Sequence, residues 1–249
     1  MNSSFVSVIV PAYNEANCIR RNVEQIVRYL SAGFQRFEVI VVNDGSTDAT
    51  QREIAEAASK DEHITALSFP TNRGKGFVVR QGALKTRGDA VLFTDADLST
   101  PVEEIEKAVQ ELSGGYSVVI ASRQHSQSVI RVRQSRVREL VGKSFNFLIR
   151  TLFPLPFRDT QCGFKCFTQS AAREIFSRAQ IDGFSFDVEV LLIAQRLGCR
   201  VKEMPVSWAH VDASKVSVTR NWLSVLQELF RIYRNDRKGL YGCNPSRSL

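Results

Sequence analysis

The sequence lacks any run near the roughly 20 apolar residues that would span a bilayer. FNFLIRTLFPLPF, residues 145–157, comes nearest and is broken by Arg150, Pro154 and Pro156. The start, MNSSFVSVIVPAYNE, has no basic residue ahead of its first apolar run, so no secretory leader is expected and the chain reads as soluble or peripheral. Glycine (14) and proline (7) are too sparse for a fibrous or disordered chain. The five cysteines, at 18, 162, 166, 199 and 243, are odd in number and scattered, which argues for reduced thiols over a disulfide framework. Cys162 and Cys166 resemble half of a zinc site, but no second Cys/His pair completes a tetrahedral set. The three histidines, at 63, 125 and 210, are too dispersed to suggest a metal cluster. Neither a G-x-S-x-G elbow nor a G-x-x-x-x-G-K-[ST] loop is present, and GKG at 74–76 lacks the rest of a dinucleotide fingerprint.

What is present is ordered and unevenly charged. A chain of 249 residues with 43% hydrophobic content supports one well-cored domain, with or without an appendage. Residues 1–125 carry a net charge of −3 and residues 126–249 one of +10, so the two halves are expected to meet different partners. Nucleic acid, anionic lipid and a phosphorylated substrate all suit the basic half.

The first half alternates apolar runs (5–10, 37–42, 64–69, 90–94, 117–121) with helical patterns near 15–30, 47–60, 75–86 and 101–112. Continuous apolar strands separated by helices predict an α/β fold with a mostly parallel sheet covered on both faces. Thr100-Pro101-Val102-Glu103 fits a capping box with proline at the first helical position. From residue 126 the alternation stops. A loop runs into a helix with a basic and an apolar side, followed by a short strand at 163–167 and a helix. A further helix ends at Gly198, an edge strand follows around Pro205, and the tail places Trp222, Leu226, Leu229, Phe230 and Tyr233 at helical spacing.

Parallel strands deliver their following loops to one sheet edge, where such sheets bind ligands. That edge is expected to collect Glu15, Asp44, Asp48, Lys75, Asp95 and Asp97. Asp and Asn also favour turns for their own sake, the better reading for Thr47 and Asp48. Asp95 and Asp97, in VLFTDADLSTP, stand two residues apart where a buried strand meets a turn. An acid/base pair would need carboxyls on opposite sides of a sugar, one of them in an apolar pocket. Two acids on one tight turn converge more naturally on one cation. Mg²⁺ or Mn²⁺ suits such oxygen ligands and is commonly shared with substrate phosphates. A lone D-x-D is a weak signal, strengthened here by its place at the sheet edge.

VSVIVPAYNEANCI, VIVVNDGSTDAT, NRGKGFVVRQG and LFTDADLSTP closely resemble the family-2 inverting glycosyltransferases of GT-A, Rossmann-like fold. RDTQCGFKCFT, FSFDVEVLLIA and VSWAHVDASK resemble the polyprenyl- and dolichyl-phosphate sugar transferases, with the dolichyl-phosphate glucosyltransferase branch foremost. The resemblance covers about residues 5 to 236. It implies a GT-A domain over 1–215, with the nucleotide sugar (UDP-glucose, or GDP-mannose as runner-up) on 1–125. The acceptor side, 126–215, would include a basic amphipathic segment at 131–152, and C-terminal amphipathic helix and tail would occupy 216–249. Pro11, Ala12, Tyr13 and Glu15 would hold the nucleoside, Asp44 would lie near the base, Lys75 near the nucleotide, and Asp95 at the ribose and phosphates. Asp97 would bind the metal, with Asp95 beside it. Relatives use a glutamine two residues beyond the second aspartate as a further ligand; here that position is Ser99.

The implied reaction is direct displacement by a polyprenyl or dolichyl phosphate oxygen, with inversion and without a strong general base. Such a site needs positive charge to hold two anionic reactants. Arg123, Arg131, Arg133, Ser214 and Lys215 are the acceptor-phosphate candidates, with Arg123 and Lys215 also counted as catalytic beside Asp95 and Asp97. The competing reading of each is a solvated surface charge. Between 131 and 150, Arg131, Arg133, Arg136, Arg138, Lys143 and Arg150 face only Glu139, with apolar residues interleaved, so this segment is expected to lie on a membrane surface. The enzyme would then be cytoplasmic and peripheral, at the cytosolic membrane face. Transfer to a soluble glycan would leave that segment without a role. A nucleic-acid-binding module would ignore the acidic edge and lacks an RNA-binding motif or zinc finger, so no nucleic-acid partner is expected.

Overall fold

The computed structural model describes residues 2–132, 136–210 and 222–242. The first half runs β1 (Asn2–Ala12), α1 (Ile19–Gly33), β2 (Phe34–Asp44), α2 (Thr50–Lys60), β3 (Ile64–Phe69), α3 (Lys75–Ala83), β4 (Ala90–Thr94), α4 (Glu104–Ser113) and β5 (Val118–Ser122). The second half runs β6 (Val129–Val132), α5 (Arg136–Leu152), β7 (Phe164–Thr168), α6 (Gln169–Arg178), α7 (Phe186–Arg196), β8 (Val201–Pro205), β9 (Ser207–Ala209) and α8 (Trp222–Arg237). Seven strands form one sheet in the order β3-β2-β1-β4-β7-β5-β8, and β6 pairs with β9 in a separate ribbon. All neighbours in the large sheet are parallel except β7, which enters antiparallel between β4 and β5.

The apolar runs predicted a sheet buried on both faces, and the strands divide their residues accordingly. Ile9, Ile40, Val42, Val91 and Phe93 face one core with α3, α6, α7 and α8. Val8, Val10, Val39, Val41 and Leu92 face the other with α1 and α4. Successive residues of a strand alternate between faces, so a continuous apolar run feeds both cores at once. Pro205 ends β8 at the sheet edge, the place its missing N–H allows. Gly198, with φ of 70°, terminates α7 in a left-handed cap closed by Cys199 N–H to Ala194 O at 2.9 Å.

Two local expectations are corrected. The capping box at Thr100–Glu103 does not form: α4 begins at Glu104, and 101–103 make a tight turn in which Glu104 and Ile105 N–H donate to Pro101 and Val102 carbonyls. The stretch after 126 is not all loop, because Val129–Val132 forms a strand against Ser207–Ala209. Its partner lies more than 70 residues downstream, beyond the reach of local periodicity.

Helix α5 forms over the expected basic segment. Among its described side chains, Phe145, Asn146 and Ile149 are buried, whereas Phe147, Arg150 and Leu152 are exposed. The side chains of Arg136, Arg138 and Lys143 lie outside the described residues. No helix among the described residues is long and apolar enough to cross a membrane.

Helix α8 is fastened by specific polar contacts. Asp236 takes Arg196 in a bidentate pair at 2.7 and 2.8 Å. Tyr241, fully buried, donates to Glu189 at 2.6 Å and accepts from Asn235 at 3.2 Å. Glu189 also accepts the Gln180 and Ile181 amides at 2.9 and 2.8 Å, and burial holds its carboxyl above the usual range. Tyr241→Phe removes the hydroxyl from this buried carboxylate and should cost about 1–2 kcal/mol, read as a lower urea midpoint at unchanged slope.

Candidate active site

The ends of β1, β2 and β4 and the loop after β3 meet at the carboxyl edge of the sheet. Asn14, held at φ of 57°, joins the first two: its amide donates to Ser46 Oγ at 2.9 Å and its Oδ1 accepts the Thr47 amide at 2.8 Å. Pro11 and Ala12 end β1, Tyr13 is exposed beyond them, and the Glu15 amide donates to Thr50 Oγ1 at 2.7 Å. Asp48 accepts both the amide and the hydroxyl of Thr50, a turn role.

Asp44 is buried, and its two oxygens accept the Arg73 and Gly74 amides, each at 2.8 Å. It therefore holds the loop from which α3 starts. Gly74 and Gly76 admit no Cβ, because either would run into the backbone of Ile181–Gly183. The G-x-G here serves close packing, so the rest of a dinucleotide fingerprint is not needed. Phe77 N–H donates to Asp182 O at 3.0 Å, and the Asp182 carboxylate takes Arg80 and Arg73 at 2.6 and 3.1 Å.

That packing aims Lys75 at Asp95, with Nζ to Oδ1 at 2.5 Å. Burial works against the Lys75 ammonium, but Asp95 and Asp187 outweigh it and hold its pKa above the ordinary value. Among the described residues Asp97 has no such ion-pair partner. Burial first, then the neighbouring Asp95, push its carboxyl above the usual range. Ser99 N–H donates to Asp97 Oδ1 at 2.9 Å, and the Ser99 hydroxyl bonds the same carboxylate. Leu98 between them is held at φ of 52°, a conformation that costs a non-glycine residue on the order of 1 kcal/mol.

The donor set fits a hard divalent cation. Among the described residues two carboxylates on one turn face one ammonium, an excess of one negative charge, and oxygen ligands suit Mg²⁺ or Mn²⁺. Among the described residues no group of three or more His, Cys, Asp or Glu side chains is placed to hold a metal by itself. An ion here would complete its shell from substrate and water. Cys162 and Cys166 are buried thiols, which burial pushes up to about 11 and about 12.

The inserted strand β7 supplies the underside of the site. Asp95 N–H donates to Gly163 O at 3.1 Å, and the Asp95 carboxylate lies where a Cβ on residue 163 would stand. Lys165 is fully buried, opposite Phe93 and Ile120 in the sheet register, and its ammonium donates to the Cys162 carbonyl at 2.8 Å and to Asp187. Asp187 stands in the first turn of α7, where the helix dipole favours an acid. Burial nonetheless raises its carboxyl, with Lys165 and then Lys75 opposing.

Arg123, at the end of β5, is not a loose surface cation. Its Nε and Nη2 donate to Asp159 at 2.7 and 2.9 Å and its amide donates at 3.0 Å, while the guanidinium lies 5.6 Å from the Trp208 ring centre. Burial opposes both charges, yet each holds the other ionised: Arg123 is shifted up and Asp159 down. Asp95 is among the acids that support the guanidinium. Arg131 is exposed on β6, whose ribbon partner β9 reaches the acidic turn through the Ala209 N–H, which donates to the Ser99 carbonyl at 2.9 Å. Arg133, Ser214 and Lys215 lie outside the described residues.

Asp159, Gly163, Lys165, Asp182 and Asp187 were not singled out from the sequence. A signal was available for two of them. A lysine inside GFKCF and an aspartate inside FSFDVEVLLIA are charges in apolar runs, and such charges are almost always paired.

Taken together, the carboxyl edge of a mostly parallel sheet carries an acidic turn backed by fixed cations. Residues 7–176 match the family model "Glycosyl transferase family 2", and the chain belongs to that family. It is 37% identical over 242 residues to the dolichyl-phosphate beta-glucosyltransferase of Drosophila melanogaster, covering 92% of this chain and 74% of that one. It is 32% identical over 257 residues to the human dolichyl-phosphate beta-glucosyltransferase, covering 98% and 79%. The fold matches glucosyl-3-phosphoglycerate synthase from Mycobacterium tuberculosis, solved with UDP, at a TM-score of 0.66, 20% identity and coverage of 93% and 80%. It also matches mannosyltransferase PcManGT from Pyrobaculum calidifontis, solved with GDP-Man and Mn²⁺, at 0.62, 18% identity and coverage of 98% and 67%.

Two substitutions test the site's underside. Lys165→Met leaves Asp187 buried and unpaired and should cost about 3–5 kcal/mol in denaturant unfolding, while Lys165→Met/Asp187→Leu together should recover most of it. Gly163→Ala should displace the Asp95 carboxylate and raise the KM for nucleotide sugar roughly tenfold, with the melting temperature lowered by only a few degrees.

Proposed function

We propose that the protein transfers glucose from UDP-glucose to dolichyl or a related polyprenyl phosphate, with inversion at the anomeric carbon. One observation carries this reading: similarity to proteins named for that activity runs through both halves of the chain, across 92% of it for the Drosophila protein. It therefore includes the acceptor side as well as the D-x-D edge.

In this reading residues 1–125 form the donor side, with Pro11, Ala12, Tyr13 and Glu15 around the nucleoside. Asp44 acts there through the 73–74 loop that it holds. Asp97 and Asp95, with Ser99 bracing Asp97, would hold Mg²⁺ or Mn²⁺. Such an ion supplies Lewis-acid neutralisation of the departing diphosphate. Lys75 presents an ammonium to the same phosphates from a position that Asp95 fixes.

The acceptor phosphate is already anionic near neutral pH, so its oxygen attacks the anomeric carbon as the bond to the β-phosphate oxygen breaks. The electron pair leaves with the nucleoside diphosphate. No proton need be removed from the nucleophile, consistent with a site rich in fixed charge. Arg123, immobilised by Asp159, places a permanent positive charge at the end of β5. Preorganised charge of this kind stabilises a transition state without reorganising during the reaction. Arg131, Arg133, Ser214 and Lys215 are proposed to complete the acceptor-phosphate side. The basic second half supports a peripheral position at the cytosolic face of a membrane.

A donor panel (UDP-glucose, GDP-mannose and others) with a short polyprenyl phosphate and Mn²⁺ tests the reading. Glucosyl-lipid identified by mass is the expected product; reaction with GDP-mannose alone, or only with a soluble glycan, overturns it. Asp97→Asn should lower kcat by roughly a hundredfold or more without unfolding the chain, and full activity in that variant would remove Asp97 from the metal site.

A further inference from the structure

Helix α8 has two unlike faces. Leu229, Ile232 and Asn235 are buried against the core and Val225 is half-buried beside them. Both acids of the helix are engaged with the body of the protein: Glu228 accepts the Ser185 amide at 3.0 Å, and Asp236 holds Arg196. On the other side Leu223 is 77% exposed, Leu226 37%, Phe230 67% and Tyr233 45%. Spacings of three, four and three residues put these side chains in one stripe along the helix. Leu240, 45% exposed just past its end, adds a fifth large apolar group to the same segment. Arg231, Arg234, Arg237 and Lys238 are all exposed around them.

Packing explains the inner face and leaves the outer one unexplained. A helix that only covers a core keeps polar residues outward, whereas this one exposes an aromatic and aliphatic stripe. Its charges are sorted as well, with the acids turned inward and every cation of the segment left outside. A second copy docking through the same face would bring four cations against four, which disfavours a self-paired dimer. An anionic lipid surface satisfies both features, since acyl chains take the stripe and headgroups take the arginines.

We propose that the outward face of α8 is a membrane-docking surface, with Leu223, Leu226, Phe230 and Tyr233 entering the interface and Arg231, Arg234 and Arg237 meeting anionic headgroups. Its use in bringing the enzyme to its acceptor rests on the function proposed above, while the binding itself does not. The contact differs from the one expected around 131–152: on α5 the described Phe145 and Ile149 are turned into the core, and among its described side chains only Phe147 and Leu152 are large apolar groups left exposed.

The test is flotation of the full chain, without substrates, with phosphatidylcholine vesicles and with phosphatidylcholine–phosphatidylserine vesicles. The chain should float with the mixed vesicles and far less with phosphatidylcholine alone. Leu223→Ser/Phe230→Ser and, separately, Arg234→Glu/Arg237→Glu should each lower the partition coefficient about tenfold, with unchanged melting temperature. Phe147→Ser should leave it unchanged. No flotation of the parent chain, full flotation of both α8 variants, or loss only on Phe147→Ser would each overturn the proposal. So would sedimentation velocity showing a dimer that the α8 variants dissolve. Transfer to a short polyprenyl phosphate in solution should be the same in parent and α8 variants. If that transfer is absent altogether while flotation behaves as stated, the functional reading fails and the docking surface stands.

Discussion

The contact between Lys75 and Asp95 is the point on which the site turns. It joins the N-terminus of α3 to the end of β4, and the half-buried Asp95 carboxylate is the nearest charge that keeps the Lys75 ammonium ionised. Each of its supports belongs to a different part of the chain. Asp44 fixes the loop that launches Lys75, Gly74 and Gly76 let that loop press on Ile181–Gly183, and Gly163 leaves room for the Asp95 carboxylate. Behind it, Lys165 and Asp187 form a buried pair, and half-buried Arg123 is held by the buried Asp159. Charges packed this closely are stable only as a set, because removing one partner leaves another uncompensated in a poorly solvated place.

This set explains why the sheet is interrupted by an antiparallel strand. β7 brings Gly163 beneath Asp95 and Lys165 beside Phe93, from a segment some seventy residues after β4. A further parallel strand at that position would have needed a helical crossover and could not have entered from the same edge. The second half of the chain is therefore built into the first, and strands from both share one continuous sheet.

The outermost layer follows the same logic. Tyr241, Glu189 and Glu228 tie α8 and the residues after it to the 180–185 segment, which packs against the loop carrying Lys75. The face of α8 turned away from these contacts is apolar and cationic. Anchoring on one side and recognition on the other would couple the position of the enzyme on a surface to the segment that lines its site.

Local periodicity and residue chemistry were enough to read the α/β class, the parallel strands of the first half, the edge place of Pro205, the glycine stop at 198 and the D-x-D turn. These depend on burial alternation, backbone restriction and strand-end position, all of which are local. What the sequence did not disclose is long-range. β6 needs a partner more than 70 residues away, the turn at 101–103 displaced a capping box of sound local chemistry, and Arg123 became a pinned cation only because Asp159 meets it across the fold. Lys165 and Asp187 left a trace, as charges inside apolar runs, but which charge meets which was decided by the inserted strand. Residue types determined that an acidic edge and fixed cations would exist; only tertiary packing decided that Asp95 takes Lys75 as its counterion while Asp97 takes the Ser99 amide.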